Sequence, residues 1–333
     1  MATTSVPVAP VPRVTDPLPD ELADQLRAMG AELDDKVPGK RLDRNLLIGT
    51  WNLREFGGVT QKWLSESDDE PKRDLFSIRA IGELVSRFDV VAIQEVQENI
   101  EALRTLIRAL GHHWGLILTD AVKTREGGRE RLAFVYDTRR VKPSGLACEL
   151  VVPDDRLEKG VGPNALKRQF ARTPYAVAFR SESQTFILVT LHIKFGKTAA
   201  ARRPELEEIA QWMRDWADDT ADEFHQNLLC LGDFNIDRED DENFQAFTSR
   251  GLRVPDKLRG LDRTLPTVDG KGKFFDQIAW FADDGDAKLT FEYSGEAGNF
   301  KWDGFLFPDL DRTQKSFRIS DHYPLWCEFL LPD

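Results

Sequence analysis

Five polar clusters interrupt short apolar runs along this chain, and each contains residue types that bind metals or transfer protons. The clusters are Asn52, Glu95, His192, Asp233 with Asn235, and Asp321 with His322. Each adjoins a hydrophobic stretch, where a buried strand should end and the side chains of neighbouring strands converge. One such strand end is ordinary, but five of them predict a single active site assembled from the whole chain.

Two of the histidines have the placement expected of acid–base catalysts. His192 ends the run FILVTLH, and His322 follows Asp321 in the hexapeptide ISDHYP. Because imidazole titrates near neutral pH, both suit proton transfer, although a histidine packed in the core is the competing interpretation. Catalytic histidines need an acceptor that fixes the tautomer, and as a geometric hypothesis we pair Glu130 with His192 and Asp276 with His322.

The acidic and amide groups favour a hard cation or a phosphate. Glu95 follows VVAIQ, where a carboxylate can hold Mg²⁺ through oxygen, but a lone surface carboxylate would look the same. In LLCLGDFNID, Gly232 permits a tight exit from a strand. The i, i+2 spacing of Asp233 and Asn235 in an extended segment would point both side chains to one side, where they could bind a metal, a water or a phosphate oxygen. An Asx turn is the structural alternative.

Charge and composition restrict the partners. The 333 residues are 41% hydrophobic, enough for one large α/β domain or two ordinary ones. A net charge of −12 argues against a protein that coats nucleic acid, but it allows a local basic groove because distant charges are screened. Residues 121–172 contain twelve Lys and Arg and seven Asp and Glu, which suits a polyanionic substrate and equally a solvated loop.

Cysteine usage and hydropathy indicate a cytoplasmic protein. Cys148, Cys230 and Cys327 lie in apolar, strand-like stretches, which is typical of small buried side chains in a reducing compartment. No apolar run approaches the ~20 residues of a membrane span. The N-terminus lacks the basic and then apolar regions of a secretory signal. We expect no membrane span, and no obligate protein partner is evident.

The pattern of elements divides the chain into three parts. We expect a disordered Pro-rich tail over residues 1–15, a helical arm over 16–40 with Asp16 as a candidate N-cap, and a catalytic domain over 41–333. Further helices are predicted over 72–88, from about 99 to 110 and over 204–217, and a strand over 322–329. Most predicted strands are continuously apolar, which indicates sheets covered on both faces by other layers.

An ordered set of motifs carries a family resemblance. WNLREF, IQEV, RERLAFVYD, FARTPYAVAF, TLHIKFG, LGDFNID, FFDQIAW and ISDHYP together resemble the endonuclease/exonuclease/phosphatase superfamily, and within it the deoxyribonuclease I-like branch. The resemblance covers residues 45–331. It implies a four-layered α/β/β/α sandwich with two central mixed sheets, and hydrolysis of a phosphoric ester that depends on Mg²⁺ or Mn²⁺, with Ca²⁺ as a conceivable structural or auxiliary ion.

The resemblance also implies roles, position by position. Asn52, Glu95 and Asp321 would belong to the metal site, with Asn52 also near the phosphate, and Arg172 would contact a substrate phosphate. By the same resemblance, Glu130 would orient His192, and Asp276 would orient His322. Asp233 and Asn235 would position the water and stabilise the pentavalent phosphorus.

Three functional interpretations follow. A deoxyribonuclease I-like endonuclease acting on DNA is favoured, and a phosphatase or phospholipase C-type hydrolase of a small or lipid phosphate is the alternative. A binding module that has lost catalysis is disfavoured because every acid–base and ligand position is present. Gly127 and Gly128 replace a tyrosine expected before RERL, which puts that DNA contact in doubt, and residues 281–319 are expected to form a lid or additional strands.

Overall fold

The computed structural model describes residues 11–123, 129–152, 170–222, 227–266, 270–283 and 286–332. Much of the predicted basic stretch, over 124–128 and 153–169, lies outside these residues, as do Gly127 and Gly128.

Six α-helices occur in the described part of the chain. They are α1 (Asp20–Lys36), α2 (Leu75–Val85), α3 (Glu101–Leu110), α4 (Arg203–Asp218), α5 (Glu242–Thr248) and α6 (Arg312–Arg318). The limits of α2 have a local cause, since the Asp74 carboxylate accepts the Ser77 N–H at 2.8 Å and caps the first turn. Gly111, with φ of +93°, ends α3 in a conformation that favours glycine.

The strands form two mixed sheets. The first sheet has the order β13 (Glu292–Asn299), β14 (Leu325–Leu330), β1 (Asn45–Phe56), β2 (Val90–Gln97), β5 (Arg129–Asp137) and β3 (Trp114–Leu118), with β4 (Val122–Lys123) also on β5. The second has the order β10 (Leu252–Arg253), β11 (Asp276–Asp283), β9 (Leu228–Asp233), β8 (Gln184–His192), β7 (Tyr175–Ser181) and β6 (Lys142–Glu149), with β12 (Asp286–Ala287) also on β11. Each sheet has one parallel pair at its centre, β1 with β2 and β8 with β9.

Alternation along β1 shows how the layers stack. Leu46 and Ile48 join the core that lies between the sheets, whereas Leu47 and Trp51 join the core beneath α1, α2 and α3. All four side chains are fully buried, and each aliphatic side chain buried in this way contributes about 1.5–3 kcal/mol. The second sheet is covered on its outer face by α4 and α5, so the predicted four-layered α/β/β/α sandwich is confirmed.

Several boundaries differ from those predicted. Helix α1 begins at Asp20 after Pro19, and Asp16 instead accepts the Arg13 N–H at 2.8 Å, because two prolines delay the helix. Strand β14 begins at Leu325, since Pro324 cannot donate to a sheet ladder and the segment before it turns away.

The N-terminal and aromatic-rich segments both pack on the first half of the sandwich. Val14, Leu22, Met29 and Leu33 are buried with α2, so the arm forms part of the helical layer. In the 281–319 segment, β13 extends the first sheet and α6 follows it. The three cysteines are free, and none of the described helices is long and apolar enough to cross a membrane.

Candidate active site

One edge of the sandwich collects the polar strand ends. The strand register places Asp233, at the end of β9, opposite His192 of β8 on one side and opposite Asp276 of β11 on the other. Asn52 of β1 and Glu95 of β2 lie at the corresponding end of the facing sheet. Five segments that are distant in sequence therefore reach the same cleft.

The Asp233 carboxylate lies at the centre of this cleft. Its Oδ2 accepts a hydrogen bond from Asn52 Nδ2 at 3.0 Å, and it lies 3.6 Å from His192 Nε2 and 3.9 Å from His322 Nε2. A carboxylate flanked by two imidazoles can exchange protons with either of them or with a water that enters the cleft.

His192 is supported from behind by Glu130. Its Nδ1 lies 3.0 Å from Glu130 Oε2, and Arg172 binds the other oxygen of this carboxylate at 2.5 Å. Burial alone would raise the pKa of Glu130, but the hydrogen bond and charge of His192, together with Arg172, lower it to about 2. Burial and Arg172 oppose protonation of His192, but the bond to Glu130 and the charges of Asp233 and Glu130 raise its pKa.

His322 has an equivalent support in Asp276. Its Nδ1 lies 2.6 Å from Asp276 Oδ2, and both side chains are buried. Burial raises the pKa of Asp276 to about 6, although the charge of His322 acts in the opposite direction. Burial also opposes the charged form of His322, but Asp276, Asp233 and Asp321 outweigh it and raise the pKa of the imidazole well above its ordinary value. Both shifts favour retention of a proton by this hydrogen-bonded pair.

Asn52 and Glu95 form the opposite wall of the cleft. Asn52 Nδ2 donates to Glu95 Oε1 at 2.9 Å, and the N–H of Glu55 donates to Glu95 Oε2 at 2.9 Å. Glu95 has a φ of +61° within an interruption of the β2–β5 register. A carboxylate oriented in this way retains lone pairs for a hard cation. Mg²⁺ commonly uses one or two protein carboxylates and completes its shell with water and substrate phosphates, so the donor set fits that ion.

The segment after Asp233 differs from the extended pair that was expected, whereas the roles implied for Asp321 and Arg172 stay predictions. Asp233 Oδ1 accepts the Asn235 N–H at 2.8 Å, and Asn235 has a φ of +52°, so this segment makes the Asx turn rather than an extended pair. The Asn235 amide donates to Ile193 O at 2.6 Å. Asp321 is nearly half exposed and lies 3.7 Å from Arg54, and the guanidinium of Arg172 lies against Glu130.

A basic cavity adjoins His322. It has a volume of about 230 Å³, and its charged lining consists of Arg54, Lys273, Arg312, Asp321 and His322. Within the described residues Arg312 makes no ion pair, whereas Lys273 binds Asp237 at 3.0 Å. These cations come from outside the predicted basic stretch, so sequence reasoning missed them.

Sequence reasoning also missed Ser320 and Gln94. Ser320 Oγ donates to Asn52 O at 2.6 Å and accepts the His322 N–H at 3.0 Å, which joins the two walls of the cleft. Below them, Gln94 Nε2 donates to Thr190 Oγ1 at 3.0 Å and bridges the two sheets. Their only sequence signal was a polar residue inside the motifs IQEV and ISDHYP.

An acidic cluster also occurs away from the cleft. Glu66, Asp68 and Asp69 form the one group of three such ligands that lies close together among the described residues. Lys62 offsets part of its charge by binding both oxygens of Asp69, at 2.8 and 3.0 Å. This cluster is distinct from the predicted metal site at Glu95.

Comparisons with known proteins agree with this geometry. Residues 49–322 match the model of the Endonuclease/Exonuclease/phosphatase family. The chain is 28% identical over 295 residues to a deoxyribonuclease of Thioalkalivibrio sp. (strain K90mix), a match that covers 86% of this chain and 71% of that protein.

Solved structures of similar fold include a Bacteroides thetaiotaomicron VPI-5482 mannosyl-6-phosphatase, with 17% identity, a TM-score of 0.54 and coverage of 85% and 99% of the two chains. They also include D. rerio TDP2 complexed with a single strand DNA product, with 15% identity, a TM-score of 0.54 and coverage of 86% and 98%. Because the family model spans most of the sequence and the motifs meet in one cleft, this chain belongs to the endonuclease/exonuclease/phosphatase family.

Proposed function

We propose that this protein is a divalent-metal-dependent phosphodiesterase that cleaves DNA internally by in-line attack of water on phosphorus. The observation that carries the proposal is the position of Asp233 between His192 and His322, at 3.6 and 3.9 Å, with each imidazole backed by its own carboxylate. Hydrolysis needs one group to take a proton from water and another to give a proton to the leaving oxygen, and this arrangement supplies both.

The proton roles follow from the geometry of the site. The neighbouring carboxylates raise the pKa of each imidazole and so favour its role as a proton donor, and we assign Asp233, whose Oδ2 lies between the two Nε2 atoms, as the group that accepts a proton from water. As the water oxygen bonds to phosphorus, the bond from phosphorus to the leaving oxygen breaks, and His192 donates its proton to that oxygen. His322 remains protonated beside Asp276 and offers its Nε2 proton to a non-bridging phosphate oxygen.

Glu95 and Asn52 would hold the cation on the opposite wall, with Mg²⁺ or Mn²⁺ as the best match to an oxygen donor set. When bound, such an ion neutralises charge on a non-bridging oxygen of the phosphate. The hydrogen bonds from Asn52 Nδ2 and the Glu55 N–H fix the orientation of the Glu95 carboxylate before any ion arrives. Asp321 remains a candidate second ligand, which would have to release its ion pair with Arg54 in order to bind the metal.

The charge beside the site supports a polyanionic substrate. The cavity next to His322 presents Arg54, Lys273 and Arg312 together with the ring of Phe275, and phosphates that flank the scissile bond could contact these cations. The relative from Thioalkalivibrio is named a deoxyribonuclease, and D. rerio TDP2, which shares the fold, was solved with a single strand DNA product. Both support DNA over other polyanions.

A phosphatase or phospholipase C-type hydrolase of a small or lipid phosphate is the second candidate. It has the support that a mannosyl-6-phosphatase shares the fold. The same wall residues could activate water against a phosphomonoester, so the distinction depends on the substrate that the cavity accepts.

Incubation of supercoiled plasmid with Mg²⁺ or Mn²⁺ tests the proposal. We expect conversion to the nicked form, no conversion in the presence of a chelator, and none by the His322→Ala variant. A wild-type protein that leaves plasmid intact but releases phosphate from a sugar or lipid phosphate would establish the second candidate. Inactivity on both classes with either metal would refute a phosphoric ester hydrolase.

A further inference from the structure

Arg73 is a buried cation beside the cleft that the proposed reaction does not use. It precedes α2, is 3% exposed, and donates to five backbone carbonyls. Its Nη2 donates to the carbonyls of Leu53, Arg54 and Ile319 at 2.9, 2.8 and 3.0 Å, its Nη1 to Glu55 O at 3.0 Å, and its Nε to Arg318 O at 3.2 Å.

Burial of this cation is costly, and the hydrogen bonds offset that cost. Burial lowers the pKa of Arg73 to about 10, and no carboxylate forms an ion pair with it in the described parts of the chain. A buried charge without an ion-pair partner requires hydrogen bonds, and the carbonyls of two separate segments supply at least one acceptor to each of its three nitrogens. The location of these two segments, one on each side of the cleft, indicates the structural role of the Arg73 hydrogen bonds.

The first segment, residues 53–55, adjoins the wall formed by Asn52 and Glu95. Residues 53–55 lie in an interruption of the β1–β2 register, and Arg54 and Glu55 have φ values of +32° and +47°. When their carbonyls point toward Arg73, the N–H groups of the same segment point into the cleft. The Arg54 N–H donates to Asn52 Oδ1 at 2.9 Å, and the Glu55 N–H donates to Glu95 Oε2 at 2.9 Å.

The second segment leads directly to His322. The carbonyls of Arg318 and Ile319 bind Arg73, and the next residue, Ser320, donates to Asn52 O and accepts the His322 N–H. One guanidinium therefore holds the backbone on both sides of the cleft.

We propose that Arg73 is a positioning residue that sets the separation between the Glu95 wall and the His322 wall, so that metal affinity and turnover both depend on it although it touches neither substrate nor metal. This inference rests on the proposed function for its activity readout. Lysine cannot replace Arg73, because an ammonium offers three donors at one point and cannot span five carbonyls from two segments.

The test compares Arg73→Lys with Arg140→Lys. Arg140 is a matched control, since its side chain is only 8% exposed and binds Asn45 O at 2.5 Å and Asp89 at 2.9 Å, at the far end of β1. For each variant we would measure the melting temperature, Mn²⁺ affinity by electron paramagnetic resonance, the His322 imidazole resonance by NMR, and kcat and KM on bis(p-nitrophenyl) phosphate.

We expect both variants to melt earlier than wild type. Only Arg73→Lys should weaken Mn²⁺ binding, by about tenfold or more, as loss of an outer-shell support does, and lower kcat with KM nearly unchanged. Only this variant should shift the His322 resonance. Wild-type Mn²⁺ affinity, kcat and resonance in a folded Arg73→Lys protein would overturn the proposal.

A second variant covers the case in which Arg73→Lys does not fold. Ser320→Ala removes the link between Asn52 and His322 and leaves Arg73 in place, so it should show the same loss of Mn²⁺ affinity and kcat. A folded Ser320→Ala protein with unchanged values would overturn the proposal. If wild type hydrolyses no phosphodiester, the proposed function fails, and the NMR and Mn²⁺ measurements still decide the role of Arg73.

Discussion

Replacement of Gly232 by alanine tests whether the register between β8 and β9 controls the chemistry. Gly232 lies opposite Leu191 in this parallel pair, one residue before the opposed His192 and Asp233. Its φ is +141°, and a Cβ at this position would lie 2.2 Å from Leu191 O and 3.0 Å from Leu191 N. The obstacle is backbone, so no change of side-chain rotamer can relieve it.

The size of the effect follows from these distances. Ordinary contact begins at 3.4 Å, so the Leu191 carbonyl and the following His192 must move away from Asp233 by about 1 Å. Overpacking of this kind costs about 1–3 kcal/mol of stability, while a misplacement of about 1 Å at reacting groups lowers the rate by about 10²-fold. We therefore expect a modestly destabilised protein with roughly a hundredth of the wild-type kcat.

The assay pairs thermal melting with kinetics on bis(p-nitrophenyl) phosphate. Gly39→Ala is the control, because Gly39 is exposed in the loop before β1 and a Cβ there meets no atom within 4 Å. A folded Gly232→Ala protein with a kcat within about twofold of wild type would show that the spacing of His192 and Asp233 does not limit the reaction, and the reasoning from register to rate would be refuted.

Three further predictions address individual residues. His192→Ala and His322→Ala should each lower kcat by about 10²–10⁴-fold with little change in melting temperature, and near-normal turnover would remove that histidine from the reaction. Glu95→Gln should move the midpoint of a Mg²⁺ titration to a concentration about tenfold higher or more, whereas an unchanged titration would remove Glu95 from the metal site. The pKa of Glu130 is about 2 in the folded protein, below its ordinary 4.5, so its carboxylate stabilises the fold above pH 4.5 and this stabilisation disappears as the pH falls toward 2. Urea midpoints measured between pH 5 and pH 3 should therefore change less for Glu130→Gln than for wild type, and equal slopes would contradict the assignment.

Much of the site could be predicted from local sequence patterns, because the face to which a strand residue points is set by its position relative to its near neighbours in the strand. Leu46 and Ile48 of β1 face the other sheet, and Asn52 continues the same parity to the end of the strand, where its amide reaches Asp233. Likewise, His192 lies two residues after Thr190 and therefore on the same face of its strand, and Thr190 accepts a hydrogen bond from Gln94 of the first sheet. The predicted contacts of Glu130 with His192 and of Asp276 with His322 occur, at 3.0 and 2.6 Å.

Sequence patterns failed where the backbone leaves the regular strand conformation. Asn235 was expected to point with Asp233, but a φ of +52° turns its amide to Ile193. The basic stretch over 121–172 stays a prediction because 124–128 and 153–169 lie outside the described residues, and the cavity beside His322 is lined by other cations, Lys273 and Arg312, which lie far away in sequence. Neither feature could be predicted from the sequence, because a single left-handed residue and a contact between distant segments produce no hydrophobic periodicity.

Glu95 shows how an irregularity can create a site. Simple alternation along β2 would place its side chain with Val91 and Ile93, against the helical layer, whereas Gln94 has the parity that faces the other sheet. The left-handed conformation at Glu95, together with the register interruption after Ile93, breaks this alternation and brings the carboxylate to Asn52. A left-handed non-glycine residue costs about 1–3 kcal/mol and persists only when its surroundings determine it. At Glu95, the hydrogen bond from the Glu55 N–H and the contact with Asn52 hold the residue in this conformation. The bonds from Arg73 to the carbonyls of Leu53 and Glu55 in turn fix the backbone that follows Asn52. The strained backbone at Glu95 and the buried Arg73 therefore depend on each other. Loss of the Arg73 hydrogen bonds should let Glu95 relax from its left-handed conformation, and loss of the Glu95 contacts should loosen the segment that binds Arg73.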